Sequence, residues 1–223
     1  KVSYREAPTV GASFNYKHKK QTGGSGQFAH IVGSIEPIDV EGDDTFEFEE
    51  KVVGGRIPKQ YIPSVEKGFR LSCERGPLAR YPVVGVKVTL DDGSYHEVDS
   101  SDKAFQTAAG GCFRQLFPET KPAILEPLML MEIECPEDYQ GSVTGDIISR
   151  RGIVASSDAR DGIAQINVEV PLVETFGYAT DLRSMTKGQG TFQMELARYG
   201  KVPRNIQEDI IKIRAAEYAE MKK

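Results

Sequence analysis

The sequence predicts an α+β protein with two domains. Stretches with apolar residues at alternate positions, typical of strands, recur along the chain between stretches with helical periodicity. In the second half these stretches follow the order β-α-β-β-α-β, which is that of a split βαβ sandwich. Between the halves, the three prolines of PETKPAILEP (residues 118–127) interrupt the pattern, and we place a domain boundary within this stretch.

The first half is predicted to contain a strand pair around a glycine-rich segment, a third strand, and two helices separated by a fourth strand. Gly76-Pro77 ends the first helix, and Asp91-Asp92-Gly93 forms a turn after the fourth strand. Gly110 and Gly111 lie inside the second helix, where each costs about 1 kcal/mol relative to alanine, and they indicate either close backbone packing or a weak point in the helix. The strands cover 10–18, 28–38, 45–53 and 81–90, and the helices cover 57–76 and 100–116.

In the second half, Gly152 is predicted to end the first helix as its left-handed C-terminal residue. The last helix begins with a capping-box spacing at Asn205 and Glu208, and its isoleucines form an apolar seam that must pack on another element. The predicted strands cover 128–135, 153–159, 163–172 and 191–199, and the helices cover 137–152, 174–186 and 203–221.

Composition describes a water-soluble globular protein. Of 223 residues, 39% are hydrophobic and 27% are charged, and no apolar run is long enough to cross a bilayer. Cys73, Cys112 and Cys135 are far apart and odd in number, which favours buried free thiols and a cytoplasmic location over a disulfide framework or metal site. No signal peptide is visible, and the first residue is Lys1 instead of methionine, which indicates a piece of a longer protein.

The motifs of the common enzyme classes are absent from the sequence. There is no GxxxxGK[ST] phosphate loop, GxSxG elbow, HExxH helix or EF-hand loop. His18, His30 and His96 share no metal-ligand spacing, and adjacent carboxylates such as Asp91 and Asp92 diverge from each other. We therefore expect no catalytic residue and no metal site in this chain.

The segment QTGGSGQF (residues 21–28) admits three interpretations. A phosphate cradle would require a helix directly after the glycines, but a strand is predicted there. A hairpin turn needs only two to five residues, fewer than KKQTGGSGQ provides. A glycine-rich tip flanked by lysines could probe RNA, because the lysines would meet phosphates on an otherwise acidic chain of net charge −5. From the residues alone, the extended hairpin and the RNA-probing tip both stay open.

Five long stretches together resemble the C-terminal part of elongation factor G, the ribosomal translocase, of bacterial or mitochondrial type. They cover nearly the whole chain in family order, which makes the resemblance far more specific than any single glycine motif. The stretches are KKQTGGSGQF, IPKQYIPSVEKG, VKVTLDDGSYHEVDSSDKAF, ILEPLMLMEIECPEDYQGSVTGDIISRRG and FGYATDLRSMTKGQGTF.

The resemblance implies the domain organisation and a first set of contact residues. Residues 1–121 resemble the family's domain IV, with a ribosomal protein S5 domain 2-like fold, and 122–200 resemble domain V, with a ferredoxin-like fold; 201–223 form a C-terminal helix. Two tip loops of domain IV are implied to contact RNA at the decoding site, where they would keep the A-site transfer RNA from slipping back. Their residues are Lys19, Lys20, Gln21, Thr22, Gly23, Gly24, Ser25, Gly26 and Gln27 in the first loop, and Ser94, Tyr95 and His96 in the second.

A second contact is implied for domain V, at the GTPase-associated centre of the large ribosomal subunit. The matching residues lie on the helix before Gly152 and are Gly145, Asp146, Ser149, Arg150 and Arg151. The helix dipole also stabilises cations at this end, which is an alternative explanation for the two arginines. The resemblance further implies a monomeric cytoplasmic factor that binds the ribosome, and a parent protein that hydrolyses GTP with Mg²⁺; the GTPase domain itself is absent from this chain.

The sequence also departs from the commonest family pattern. Ser25 stands where the tip usually reads GGRGQ, so one positive charge is missing, and the KHKK run and the Gly110-Gly111 pair differ as well. Similar departures occur in duplicated members of the family, in which one paralog recycles ribosomes. The alternative function is therefore that of a recycling factor or a ribosomal protection protein. A third alternative is a small-molecule kinase of related fold. Such a kinase would need a helix after the glycine segment, but a strand is predicted after Gln27.

Overall fold

The computed structural model describes residues 1–22, 25–42 and 45–223, which form two compact units. The larger unit comprises Arg5–Leu125 and Val202–Lys223, and the smaller unit comprises Lys1–Tyr4 and Glu126–Lys201. Both units combine a mainly antiparallel sheet with helices, which confirms the predicted α+β class.

The larger unit is a four-stranded sheet with helices packed on it. The strand order is β2-β3-β5-β4, antiparallel except for the parallel pair β4 and β5. The core lies between this sheet and α1 and α2, whose buried residues include Phe69, Phe105 and Phe113. In chain order, the elements are β1 (Arg5–Ala7), β2 (Ala12–Thr22), β3 (Ser25–Pro37), β4 (Phe46–Glu50), α1 (Ile62–Ser72), β5 (Val86–Ser94), α2 (Asp102–Leu116), the start of β6 (Ala123–Pro136) and, at the C-terminus, α5 (Arg204–Met221).

The smaller unit has the predicted split βαβ order. Its core lies between the sheet and the helices α3 and α4, with Val143, Ile147, Tyr178 and Leu182 buried on the helical side. β8 lies between β6 and β7, and β9 pairs with β6 on its other side. The elements are β6, α3 (Gln140–Ser149), β7 (Ile153–Arg160), β8 (Ile163–Pro171), α4 (Tyr178–Met185) and β9 (Thr191–Lys201).

β6 runs through the proline-rich stretch from Ala123; its pairing with β1 ends at Leu125 and its pairing with β8 begins at Leu128, so Pro127 falls between the two ladders. The structure corrects one prediction that was based on turn-forming residues, because Asp91-Asp92-Gly93 is not a turn. β5 continues to Ser94, with a β-bulge where the register with β3 shifts.

Two predicted helix ends also differ from the structure. α3 ends at Ser149, and Arg151 takes the left-handed conformation (φ 59°) that was expected of Gly152. Gly152 donates its N–H to the Ile147 carbonyl, and a Cβ at Gly152 would lie 2.7 Å from that oxygen, so this glycine is needed for close approach. The capping box of α5 does not form, because the N-cap residue is Pro203, which has no side chain that could cap the helix.

Gly111 is closely packed, as expected of the glycine pair, whereas Gly110 is not. A Cβ at Gly111 would meet the Tyr16 hydroxyl at 2.4 Å, whereas a Cβ at Gly110 would have no atom closer than 3.7 Å. All three cysteines are buried free thiols, as predicted.

Candidate nucleic-acid interface

The first predicted tip loop is the end of a long antiparallel hairpin. The ladder between β2 and β3 continues through the pairs Lys20 with Gln27, Gln21 with Gly26, and Thr22 with Ser25. This leaves only Gly23 and Gly24 between paired residues, and both lie outside the described residues. Most residues of KKQTGGSGQ therefore belong to the strands, and the prediction that this segment is too long for a hairpin was wrong. No helix begins after the glycines, since β3 does.

The hairpin presents lysines along an exposed sheet edge. Lys17, Lys19 and Lys20 are all exposed on β2, which is an edge strand of its sheet. Because side chains alternate along a strand, Lys17 and Lys19 share one face and Lys20 lies on the other. Among the described residues, no carboxylate lies within salt-bridge distance of any of the three, so their charge is available to an external anion.

The opposite edge of the same sheet is acidic. β4 carries Glu47, Glu49 and Glu50, and Glu49 forms ion pairs with Lys87 at 3.1 Å and Lys51 at 3.9 Å. The basic edge thus lies on β2 and the acidic edge on β4, with two strands between them. This separation explains how an acidic chain can offer a cationic surface to a polyanion.

The second predicted loop is built around the ring of His96. The Nδ1 atom of His96 accepts the backbone N–H groups of Val98 and Asp99, both at 3.2 Å, so the proton of the neutral ring lies on Nε2. The His96 backbone N–H donates to the Ser100 hydroxyl at 2.9 Å. These bonds fold residues 96–100 into a compact turn that leaves the side chains of Tyr95 and Val98 exposed.

The two predicted loops lie side by side, joined by contacts that involve Phe28, Asp99 and Ser100, which the sequence interpretation did not select. Phe28 donates its N–H to the Asp99 carbonyl at 3.0 Å, and its own carbonyl accepts the Ser100 hydroxyl at 2.7 Å. The rings of Phe28 and His96 are 6.4 Å apart. A Cβ at Gly26 would lie 2.7 Å from a carboxylate oxygen of Asp99, so a side chain here would have to displace that carboxylate. We call this contact set of Gly26, Phe28, His96, Asp99 and Ser100 the tip clamp.

A hydrogen-bonded histidine lies where the tip joins the sheet. His30 Nδ1 is 2.7 Å from the Ser94 hydroxyl, and Nε2 is 2.7 Å from the Asn15 side-chain oxygen, which can only accept. Burial lowers the pKa of His30, and nearby Lys17 lowers it further, so the ring is neutral and accepts from Ser94. The predicted contact residue Ser94 therefore already has a partner within the protein.

The second predicted contact region, on α3 of the smaller unit, is divided between exposed and paired residues. Gly145 and Ser149 are exposed. Arg150 donates to Asp146 at 2.9 Å, to the Glu174 carbonyl at 2.8 Å, and to the Asp181 carboxylate, and its side chain is only 14% exposed.

Arg151 also has partners within the protein. It donates from both terminal nitrogens to the Glu126 carboxylate at 2.9 and 3.0 Å, and from Nε to Glu174 at 3.3 Å. The hydrogen bond to Glu126 raises the pKa of the guanidinium. The structure therefore gives Arg150 and Arg151 intramolecular partners, which the sequence could not reveal because Glu126 and Glu174 are distant along the chain.

Comparison with known proteins identifies the family. A family model described as "Elongation factor G, domain IV" matches residues 1–121, and one described as "Elongation factor G C-terminus" matches residues 123–210. The chain belongs to the elongation factor G family. Within this family it corresponds to domain IV and the C-terminal domain, and it is therefore part of a translation elongation factor.

Bacterial elongation factor G proteins are similar to this chain over nearly its full length. Elongation factor G of Rhodopirellula baltica is 67% identical and covers 95% of the chain. Elongation factor G 2 of Bdellovibrio bacteriovorus is 53% identical over 95%, and elongation factor G 1 of Treponema pallidum is 50% identical over 100%. The chain spans 30–31% of the length of these relatives. A crystal structure of a Thermus thermophilus protein matches 97% of the chain and 32% of its own length, with a TM-score of 0.86 and 36% identity.

Two other features are absent from the described part of the chain. Within residues 1–22, 25–42 and 45–223, no helix has both the length and the apolar character that crossing a lipid bilayer requires. In the same ranges, no group of three or more His, Cys, Asp or Glu side chains is arranged to hold a metal ion.

Proposed function

We propose that this chain is the ribosome-binding C-terminal part of a translational GTPase that promotes GTP-dependent translocation of transfer RNA and messenger RNA. The end of the β2–β3 hairpin and the loop at 94–100 enter the decoding-site region, and the smaller unit contacts the GTPase-associated centre of the large subunit. The parent protein acts in the cytoplasm as a monomer. The observation that carries the proposal is the basic hairpin end held to a second loop by the tip clamp.

The tip acts by shape and charge. Lys19 and Lys20 neutralise phosphates, which fixes the position of the tip on RNA without reading its sequence. The Nε2–H group of His96 is a further donor, since Nδ1 is occupied by backbone N–H groups. The tip clamp holds Gly26 and Phe28 against residues 96–100 in one arrangement, which suits a steric role. No proton transfer is required for such a steric role.

Chemical energy comes from outside this chain. The sequence contains no GxxxxGK[ST] loop, and its glycine segment lies between two strands instead of before a helix, which does not favour a phosphate site there. GTP binding and hydrolysis belong to the remaining part of the parent protein. In the smaller unit, the exposed Gly145 and Ser149 are the residues of the predicted contact set that are available to the large subunit, while Arg150 and Arg151 hold the end of α3 in place.

A pair of lysine substitutions in the intact factor tests the proposal. Lys19→Ala with Lys20→Ala should slow messenger RNA movement, measured with a fluorescent messenger RNA, while ribosome-stimulated GTP hydrolysis stays nearly unchanged. Loss of two phosphate contacts should also reduce the slope of log affinity against log salt concentration by about 2. The matched control is Lys59→Ala with Lys67→Ala, two exposed lysines of the same unit outside the tip. Equal loss of both activities, or equal effects of the two pairs, would refute the role of the tip.

The missing positive charge at Ser25 favours the recycling alternative, which should be tested beside translocation. It is exposed at the hairpin end, where the family pattern usually has arginine. Ribosome-splitting assays on the intact factor distinguish the two roles: a factor that splits ribosomes but does not move messenger RNA is a recycling factor. Ser25→Arg should strengthen translocation if the missing charge is what limits RNA contact.

A further inference from the structure

The larger unit has a groove that belongs to neither predicted contact region. It lies between the C-terminal half of α5 and residues 77–80, and its volume is about 370 Å³. The floor is made of small and aliphatic side chains. They are Pro77, Leu78, Ala79, Ile211, Ala215 and Ala219.

The charged residues that line the groove are all cations. They are Arg80, Arg214 and Lys222, and no carboxylate is among the described lining residues. Arg214 donates to the Ala79 carbonyl at 3.2 Å and to Glu217 at 3.4 Å. Within the described part of the chain, Arg80 and Lys222 have no acidic side chain within salt-bridge distance, so the groove has uncompensated positive charge.

Stacked guanidinium groups cover Tyr218, the one aromatic ring among the described lining residues. Arg80 lies over the Tyr218 ring at 4.0 Å, and Arg214 lies 4.9 Å from the same ring and 4.6 Å from Tyr81. A nucleic-acid base would need a free aromatic face for stacking, and here the ring is already covered by cations.

The backbone beside the groove is fixed before any ligand arrives. The buried carboxylate of Glu6 accepts the N–H groups of Leu78, Ala79 and Tyr81 at 2.8 to 3.0 Å. Arg80 has a left-handed backbone (φ 62°), which costs energy in a residue with a side chain and persists only where the surroundings impose it. The strained residue is the one whose guanidinium reaches over Tyr218 into the groove.

We propose that this groove binds an acidic peptide segment of a partner protein, with one apolar side chain on the aliphatic floor and carboxylates at Arg80 and Lys222. Charge complementarity favours an anionic occupant, and the apolar floor requires that the occupant also carry an apolar group. RNA satisfies the first requirement but not the second, because the floor is aliphatic and the Tyr218 ring is covered. The proposal is independent of the tip and of translocation.

The test measures binding of a defined probe to the 223-residue chain. The probe is a fluorescein-labelled peptide, acetyl-EDLFDE-amide, followed by fluorescence anisotropy. Comparison probes are acetyl-KKLFKK-amide, acetyl-EDSSDE-amide and oligouridylate of similar length. We expect the acidic apolar peptide to bind more tightly than all three, with affinity that falls as salt is added.

Variants locate the probe in the groove. Arg80→Gly removes the guanidinium, and glycine suits the left-handed backbone at this position. Lys222→Ala removes a second cation of the groove. Each substitution should weaken binding of the acidic apolar peptide about threefold to fivefold. Ala219→Glu, which places a carboxylate in the groove, should weaken it by more than about tenfold. Lys212→Ala, an exposed lysine of α5 outside the lining, is the matched control and should leave binding unchanged. Circular dichroism and the thermal midpoint establish that each variant is folded.

Several results would overturn the proposal. The first is equal binding of acetyl-EDLFDE-amide and acetyl-EDSSDE-amide, and the second is binding that none of the three groove variants changes. The third is oligouridylate binding that depends on Arg80, which would make the occupant RNA. A dimer in analytical ultracentrifugation that dissociates in Arg80→Gly would make it a second copy of the chain.

Discussion

Replacing Arg151 by methionine removes the guanidinium that pairs with the carboxylate of Glu126. Both terminal nitrogens donate to that carboxylate, and the Glu126 side chain is 3% exposed whereas that of Arg151 is 27% exposed. Loss of one partner of a buried pair costs about 3–5 kcal/mol, because the remaining charge has no counter-ion. Since solvent reaches Arg151, we expect the lower limit, about 3 kcal/mol, in the free energy of unfolding.

Urea unfolding followed by circular dichroism measures this cost. The midpoint should fall by roughly 1–2 M, given a typical dependence on urea for a unit of this size. Arg151→Met combined with Glu126→Leu should recover most of the stability, because an apolar pair leaves no buried charge. Arg183→Met, an exposed arginine on α4, is the control and should change stability by less than about 0.5 kcal/mol.

Two outcomes would refute this reasoning. If Arg151→Met were as stable as the control, the ion pair would contribute nothing to the fold. If the intact factor carrying the double substitution were stable but bound ribosomes poorly, Arg151 would act as a direct contact residue. The measurement therefore separates the structural role of the arginine from the predicted RNA contact.

Three further predictions concern single side chains. Gly26→Ala should displace the Asp99 side chain, because the new Cβ would lie 2.7 Å from the Asp99 carboxylate, and NMR amide shifts of residues 96–100 should report the displacement. Tyr178→Phe should leave stability unchanged or raise it by about 1 kcal/mol in thermal unfolding, because the buried hydroxyl has no hydrogen-bond partner among the described atoms. Burial raises the pKa of Glu6 in the folded protein above its value in the unfolded chain. The stability that Glu6 contributes, measured by urea unfolding against Glu6→Gln, should therefore be full below the unfolded pKa and should be lost as the pH rises through the folded pKa.

Each of these has a clear counter-result. Asp99→Ala should restore native shifts to the Gly26→Ala variant, and failure to do so would mean that the clash is not the cause. A loss of more than about 1 kcal/mol in Tyr178→Phe would show that the hydroxyl makes a stabilising bond. A difference between the wild type and Glu6→Gln that grows with pH would show that the three backbone N–H groups outweigh burial.

Periodicity predicted the elements well and their ends less well. The buried face of α2 follows from apolar spacing alone, with Phe105, Ala108 and Leu116 all buried. The three-residue strand β1 has too few residues for any period to be visible. The turn signals failed at Asp91–Gly93, because a β-bulge accommodates the polar residues there, and Gly93 serves close strand pairing, since a Cβ on it would lie 2.1 Å from the His30 carbonyl oxygen.

The site could be predicted only where its residues lie close together in sequence. Lys19 and Lys20 stand out as a basic run, and they are exposed on the hairpin as expected. The tip clamp could not be seen, because Phe28 and Asp99 are joined through backbone atoms that carry no sequence signal. The pairing of Arg151 with Glu126 was hidden for a different reason, since charge patterning along one helix says nothing about a carboxylate on a distant strand.

The burial of every thiol has a practical consequence for measuring motion. Cys73, Cys112 and Cys135 are all buried, and burial raises the pKa of Cys112 to about 12, so these thiols react slowly with maleimides at neutral pH. Val98 is 83% exposed at the tip. A cysteine introduced by Val98→Cys would therefore take a single fluorophore on an otherwise unaltered protein, and energy transfer from that dye could follow the tip in real time.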